Sequence, residues 1–267
     1  IAGNLTMTGT TSLSLNPASL NNANGQKAVL NLKGNLTVAS TATIQNNVFP
    51  TDAEFNFTGT SPQLVDVASV LAPSGKGITF TIKNGATVQL KNNNFTYTTA
   101  ISGYPTTLTV ASGGTLDFNW KTDGTPLTVN GASTINTFTL ASGGTLQITS
   151  PNGIVKNTAT YGSTNGNVTG FATSNRDYNQ VARYWYTGKS NSTHYTGDGI
   201  NQTGATNGVE KIVICDLSDN TKILTPTVKF ALTNDTAVFS GGGRLDIRKG
   251  QFIETENEYI TGTNGTL

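Results

Sequence analysis

The sequence predicts an all-β chain wound as a right-handed parallel β-helix, with a large antiparallel β-sandwich as the competing architecture. Three observations carry this. A short phrase recurs as Leu36-Thr-Val-Ala-Ser-Thr-Ala-Thr-Ile44, Phe80-Thr-Ile-Lys-Asn-Gly-Ala-Thr-Val-Gln-Leu90, Leu108-Thr-Val-Ala-Ser-Gly-Gly-Thr-Leu-Asp-Phe118 and Phe138-Thr-Leu-Ala-Ser-Gly-Gly-Thr-Leu-Gln-Ile148, with a fifth copy at Leu127 to Ile135. Self-similarity at intervals of tens of residues marks a fold built by stacking like units. The composition agrees: 47 Thr favour a pleated surface, while 30 Asn and 30 Gly supply turns. Finally, no stretch between 1 and 150 has convincing helical periodicity.

Within each phrase, Leu-Thr-Val sets two apolar side chains on one face and Thr on the other, Gly-Gly turns the backbone, and Thr-Leu-Asp-Phe resumes alternation. Each phrase therefore reads as strand, corner, strand. The starts at 36, 80, 108 and 138 drift in spacing, which disfavours a closed propeller and suits coils with loops of variable length. The segment Gln63 to Leu71, bracketed by Pro62 and Pro73, reads equally as a short covering loop, a strand or two helical turns. From 151 to 208 the texture changes to long polar runs around Tyr178, Tyr184, Trp185, Tyr186 and Tyr195, so this stretch is expected to be a loop-rich insertion. Strand grammar resumes over 209–267, as in Lys211-Ile-Val-Ile-Cys215 and Arg244-Leu-Asp-Ile247. The last residues look like the start of another phrase, so the coil is expected to continue beyond Leu267.

Charged residues make up only 12% of the chain and the net charge is +1, which leaves no basic footprint for nucleic acid or anionic lipid. No run is long and apolar enough for a membrane span, and no basic start precedes an apolar run at Ile1. Cys215 has no partner for an internal disulfide and sits in an apolar run, as a small core residue.

The Ser-Gly-Gly-Thr-Leu phrases, together with Ala182-Arg-Tyr-Trp-Tyr-Thr-Gly188, Asn207-Gly-Val-Glu-Lys-Ile-Val-Ile214 and Ser240-Gly-Gly-Gly-Arg-Leu-Asp-Ile-Arg-Lys-Gly250, resemble the repetitive secreted proteins of Bacteroidota. The resemblance implies a large exported adhesin or surface filament, of the style carried by type IX secretion and including the adhesins of gliding motility. Its expected partners are surface glycans, other surface or secretion proteins, or further copies of the same chain. Asp235-Thr-Ala237 matches the short motif on which such bacteria attach O-glycans and makes Thr236 the candidate acceptor. The Asn-x-Thr sites at Asn4, Asn35, Asn56 and Asn94 are read as coincidences of a Thr-rich repeat.

Many β-helices degrade polysaccharides, so the competing reading is a β-helix that binds or degrades a polysaccharide. Glycoside hydrolysis needs two carboxylates across the scissile bond, and the acids available are Asp216, Asp219, Asp246, Glu254, Glu256 and Glu258. Alternation places the three Glu residues on one solvated face. His194, the sole histidine, falls in a polar run without a nucleophile elbow or a zinc ligand set. The reading is a non-enzyme with no catalytic or cofactor-binding residue. Asp216-Leu-Ser-Asp-Asn220 offers oxygen ligands for a structural calcium. The aromatic group at 178–195 is the candidate contact surface, although alternation around Trp185 favours inward packing of Val181, Tyr184 and Tyr186.

Overall fold

The computed structural model describes residues 1–15, 27–47, 53–99, 101, 103–133, 135–155, 166–172, 175–179, 181–188, 193–197, 212–218, 220–225, 230–231, 244–252 and 260–261. The described residues wind through nine turns. The first carries β1 (Leu5–Met7), β2 (Ser12–Ser14) and β3 (Ala28–Leu32), and the second β4 (Leu36–Val38), β5 (Thr43–Gln45) and β6 (Ala53–Phe57). The third has β7 (Gln63–Val67) and β8 (Ile78–Ile82), with Leu71 bridging to Tyr97 between them. Then come β9 (Thr87–Leu90), β10 (Phe95–Thr96) and β11 (Thr107–Val110); β12 (Thr115–Asp117), β13 (Val129–Asn130) and β14 (Thr137–Leu140); and β15 (Thr145–Ile148), β16 (Val168–Thr169) and β17 (Arg176–Tyr178). The last three turns hold β18 (Arg183–Tyr186) and β19 (Thr193–Tyr195); β20 (Ile212–Asp216), β21 (Ile223–Thr225) and β22 (Phe230–Ala231); and β23 (Arg244–Lys249), β24 (Gln251–Phe252) and β25 (Ile260–Thr261).

One strand from every turn joins a nine-stranded sheet in the order β1-β4-β7-β9-β12-β15-β18-β20-β23, and a second face stacks β3, β6, β8, β11, β14 and β17. Shorter sheets, including β10-β13-β16 and β19-β21-β24, make the third side. All the ladders between these strands are parallel, which gives a parallel β-helix and rules out the antiparallel sandwich. Residues 63–67, ambiguous in sequence, form an ordinary strand of the main sheet.

The stretch 151–208, expected as a loop-rich insertion, lies partly outside the described residues. Among the described residues of that stretch, β16, β17, β18 and β19 all pair into the sheets. These strands are only two to four residues long.

The repeated phrase marks a corner, but not always the same one. Phe80, Leu108 and Phe138 are register partners on β8, β11 and β14, and Val88, Leu116 and Leu146 on β9, β12 and β15, so three copies stack directly. The Leu36 copy runs instead from β4 to β5, and the Leu127 copy straddles β13. Part of the drift in spacing therefore comes from mixing different corners.

The interior is closed and apolar. Inward residues of the main sheet stack as Val88, Leu116, Leu146, Tyr184, Val213 and Leu245, all nearly free of solvent contact. The second and third sides together contribute an aromatic spine. Phe55, Phe80, Tyr97, Phe171, Phe138 and Tyr178 follow one another with ring centroids 5.6 to 6.2 Å apart, a separation at which tilted and edge-on rings attract. A void of about 10 Å³ among Phe57, Ile82, Leu90 and Leu116 is too small and too apolar to serve as a ligand cavity.

Candidate functional site

Because successive side chains of a strand point to opposite faces, the outer face of the main sheet carries its own rows. One reads Thr87, Thr115, Thr145, Arg183 and Ile212 across β9, β12, β15, β18 and β20, and the next reads Gln89, Asp117, Gln147, Trp185, Ile214 and Asp246. The first turns of these rows are polar and bonded along the surface. Gln89 Nε2 donates to Asp117 Oδ2 at 2.7 Å, and Asn92 and Asn93 donate to the two oxygens of Asp66 at 2.7 and 2.6 Å.

At β18 the rows change character and a cleft of about 280 Å³ opens, lined by Thr115 and Thr145, Arg183 and Trp185, Ile212 and Ile214, and Asp246 and Arg248. Trp185 is its centre. The indole Nε1 donates to Asp216 Oδ2 at 3.1 Å, and the Arg248 guanidinium lies 4.8 Å from the ring centroid. Arg248 Nε in turn donates to Asp246 Oδ2 at 3.1 Å. Trp185 and Arg248 are thus braced by two carboxylates from adjacent turns. Arg183, exposed at the rim, has no ion-pair partner among the described residues.

The sequence expectations divide here. Trp185 faces out and belongs to the cleft. Tyr178, Tyr184 and Tyr186 do not form a contact surface: each is buried in the core. Tyr184 and Tyr186 donate their hydroxyls to the Asn179 and Thr196 carbonyls, and burial pushes the Tyr178 phenol up to about 12, against the opposing charge of Arg176. Tyr195 is half-buried on β19, in another sheet, away from the cleft. Val181, expected to pack inward with the tyrosines, is 41% exposed at the turn before β18.

His194 is not in a polar loop. It lies on β19 and is 1% exposed, with its imidazole against Gly188, where a side chain of any size would collide with it. Cys215 is buried as expected, and desolvation, aided by the nearby Asp216 charge, raises its thiol to about 12, so it is not a nucleophile. Asp219, Glu254, Glu256, Glu258 and Thr236 lie outside the described residues. Among the described residues no three His, Cys, Asp or Glu side chains approach closely enough to hold a metal ion, and no helix is long and apolar enough to cross a membrane.

Sequence reasoning missed Asp246 and Arg248 as partners of Trp185. They lie about sixty residues downstream, and only the length of two intervening turns brings them alongside. The Asn-x-Thr sites, read as coincidences, have a structural reason. Asn4 Oδ1 accepts from the Asn35 amide and Asn35 Oδ1 from the Leu64 amide, each at 2.8 Å, and Asn94 Oδ1 accepts from Thr128 at 3.1 Å. These side chains bind one turn to the next.

Compared with protein-family models, curated proteins and solved structures, the chain matches none of them.

Proposed function

We propose that the chain is a non-enzymatic structural and adhesive module of a large secreted bacterial surface protein, in the manner of a gliding adhesin, its coil acting as stalk and the outer face of its main sheet as contact surface. The observation that carries this reading is the cleft itself. Its aromatic and cationic side chains sit on a rigid sheet with a filled interior behind it. Hydrolysis by paired carboxylates requires both to be available to the scissile bond and its water. Here Asp246 is engaged by Arg248 and Asp216 by the indole, which favours holding a ligand over cleaving it.

A second reading, degradation of the bound polysaccharide, draws on the same two acids. Both are tested by coating beads with the chain, following their retention under flow on polysaccharide-coated glass, and assaying new sugar ends in the effluent. Retention without new ends is expected. Release of reducing or unsaturated ends would replace the adhesive reading with the degradative one, and beads that wash from every surface would refute adhesion.

A further inference from the structure

We infer that the Trp185 cleft recognises an anionic, uronic-acid-type polysaccharide, laid across the strands of the main sheet. This deepens the adhesive reading and rests on it. Three features of the cleft converge. The first is charge: the lining holds two guanidinium groups, Arg183 and Arg248, and one carboxylate, Asp246, while Asp216, outside the lining, is engaged by the Trp185 indole. Asp246 engages Arg248 through Nε, which leaves the terminal nitrogens of that guanidinium as donors. A planar guanidinium presents paired donors that match a carboxylate, and Arg183, with no ion-pair partner among the described residues, adds a second fork at the rim.

The second feature is rigidity. Trp185 is fixed by Asp216 on one side and by Arg248 on the other, and it stands on a strand whose neighbours β15 and β20 hold it in register. A recognition group on a strand with its rotamer locked loses little entropy on binding. Indole, with its apolar face and polar edge, suits the face of a sugar ring.

The third is periodicity. From Thr115 on β12 to Arg248 on β23 the lining crosses five adjacent strands, about 19 Å at the usual strand spacing. The approach from β12 and β15 is paved with Thr115, Thr145 and Gln147, which offer hydroxyl and amide groups, while the Asp117 carboxylate beside them is taken up by Gln89 and the Asn119 amide. A linear polymer with repeating hydroxyls and a repeating carboxylate meets this surface in several units at once. A lone phosphate or a short acidic peptide would use the guanidinium groups but not the polar rows.

The test is binding of the whole chain to immobilised polygalacturonate, to neutral dextran and to single-stranded DNA, at low and high salt, for the wild type and for Arg183→Gln and Trp185→Ala. Arg183 is exposed and Trp185 faces outward, so both variants are expected to fold, and unchanged circular dichroism checks this. Binding to polygalacturonate that weakens about tenfold in each variant, as loss of one charge-assisted hydrogen bond or a stacked ring implies, and that falls with salt, supports the inference. Equal, salt-insensitive binding to dextran would overturn the anionic class while leaving adhesion intact. DNA bound in preference to the uronate would overturn the saccharide assignment. Polygalacturonate binding unchanged in both variants would overturn the cleft as its site, and failure to bind either glycan while coated beads still adhere would refute this inference alone.

Discussion

Tyr184, Trp185 and Tyr186 are consecutive aromatic residues with opposite roles, and the two-residue period of a strand decides which is which. Tyr184 lies between Leu146 and Val213 in the core stack, whereas Trp185 lies between Gln147 and Ile214 on the outside. Tyr184→Ala is therefore expected to cost about 3 to 5 kcal/mol, the range for truncating a buried aromatic, and Trp185→Ala only about 1 kcal/mol. Denaturant midpoints of the two variants check this, and equal losses would contradict the assignment of faces. Titration adds a second expectation at this scale. Burial raises the Cys215 thiol from 9.0 to about 12 and the Tyr178 phenol from 10.0 to about 12, and pushes Tyr97 well above its ordinary value. Each group keeps its proton longer when folded than when unfolded, so its contribution is complete below about pH 9 and is lost as pH rises towards 12. Denaturant midpoints measured from pH 8 to 11.5 are expected to fall steadily above pH 9. The inward packing of Tyr184 and Tyr186 was legible in the sequence because alternation is local. The burial of His194 was not, since a three-residue strand within a polar run leaves too little alternation to read.

Corners set the geometry of the elements. At the stacked copies of the phrase, Gly85 N donates to Gly113 O and Gly113 N to Gly143 O, each at 3.0 Å, so the turns are hydrogen-bonded along the coil axis as well as the strands. Gly113 has φ +72°, and a Cβ there would meet only the movable Asn84 amide oxygen. Gly77 has no such φ, but a Cβ on it would lie 2.1 Å from the Pro105 carbonyl oxygen of the next turn. Gly113→Ala is expected to cost about 1 to 2 kcal/mol, the left-handed backbone penalty, whereas Gly77→Ala must push two backbones apart and should cost more. Thermal midpoints rank the two, and the reverse order would show that backbone conformation outweighs close approach. Buried Asn167 illustrates the other corner device. Its Oδ1 accepts from Thr149 and Ser150 at 2.9 and 2.8 Å, and its Nδ2 donates to Leu127 O at 2.7 Å. The fold class and the strand-corner-strand unit could be read from the repeats. Which corner each copy occupied could not, because Leu36-Thr-Val and Leu108-Thr-Val have the same local pattern and differ only in what lies a turn away.

For the whole molecule, a coil whose turns pair only with their neighbours has a stability made of intrinsic and nearest-neighbour terms. The core agrees: Leu146 is in register with Leu116 before it and Tyr184 after it, and it has no ladder partner in β4 or β7. Removing its side chain should cost about 2 to 5 kcal/mol and loosen only the adjoining turns. In Leu146→Ala, hydrogen exchange is thus expected to accelerate in β12, β15 and β18 while β4 and β7 keep their protection. The aromatic spine is the feature that opposes this, because Phe80, Tyr97, Phe171 and Phe138 pass contacts across several turns between the second and third sides. Uniform acceleration from β1 to β20 would mean that this spine couples the turns into one cooperative unit. Local acceleration would mean that the coil can open at one turn while the rest holds, the behaviour that the proposed stalk would need to absorb load.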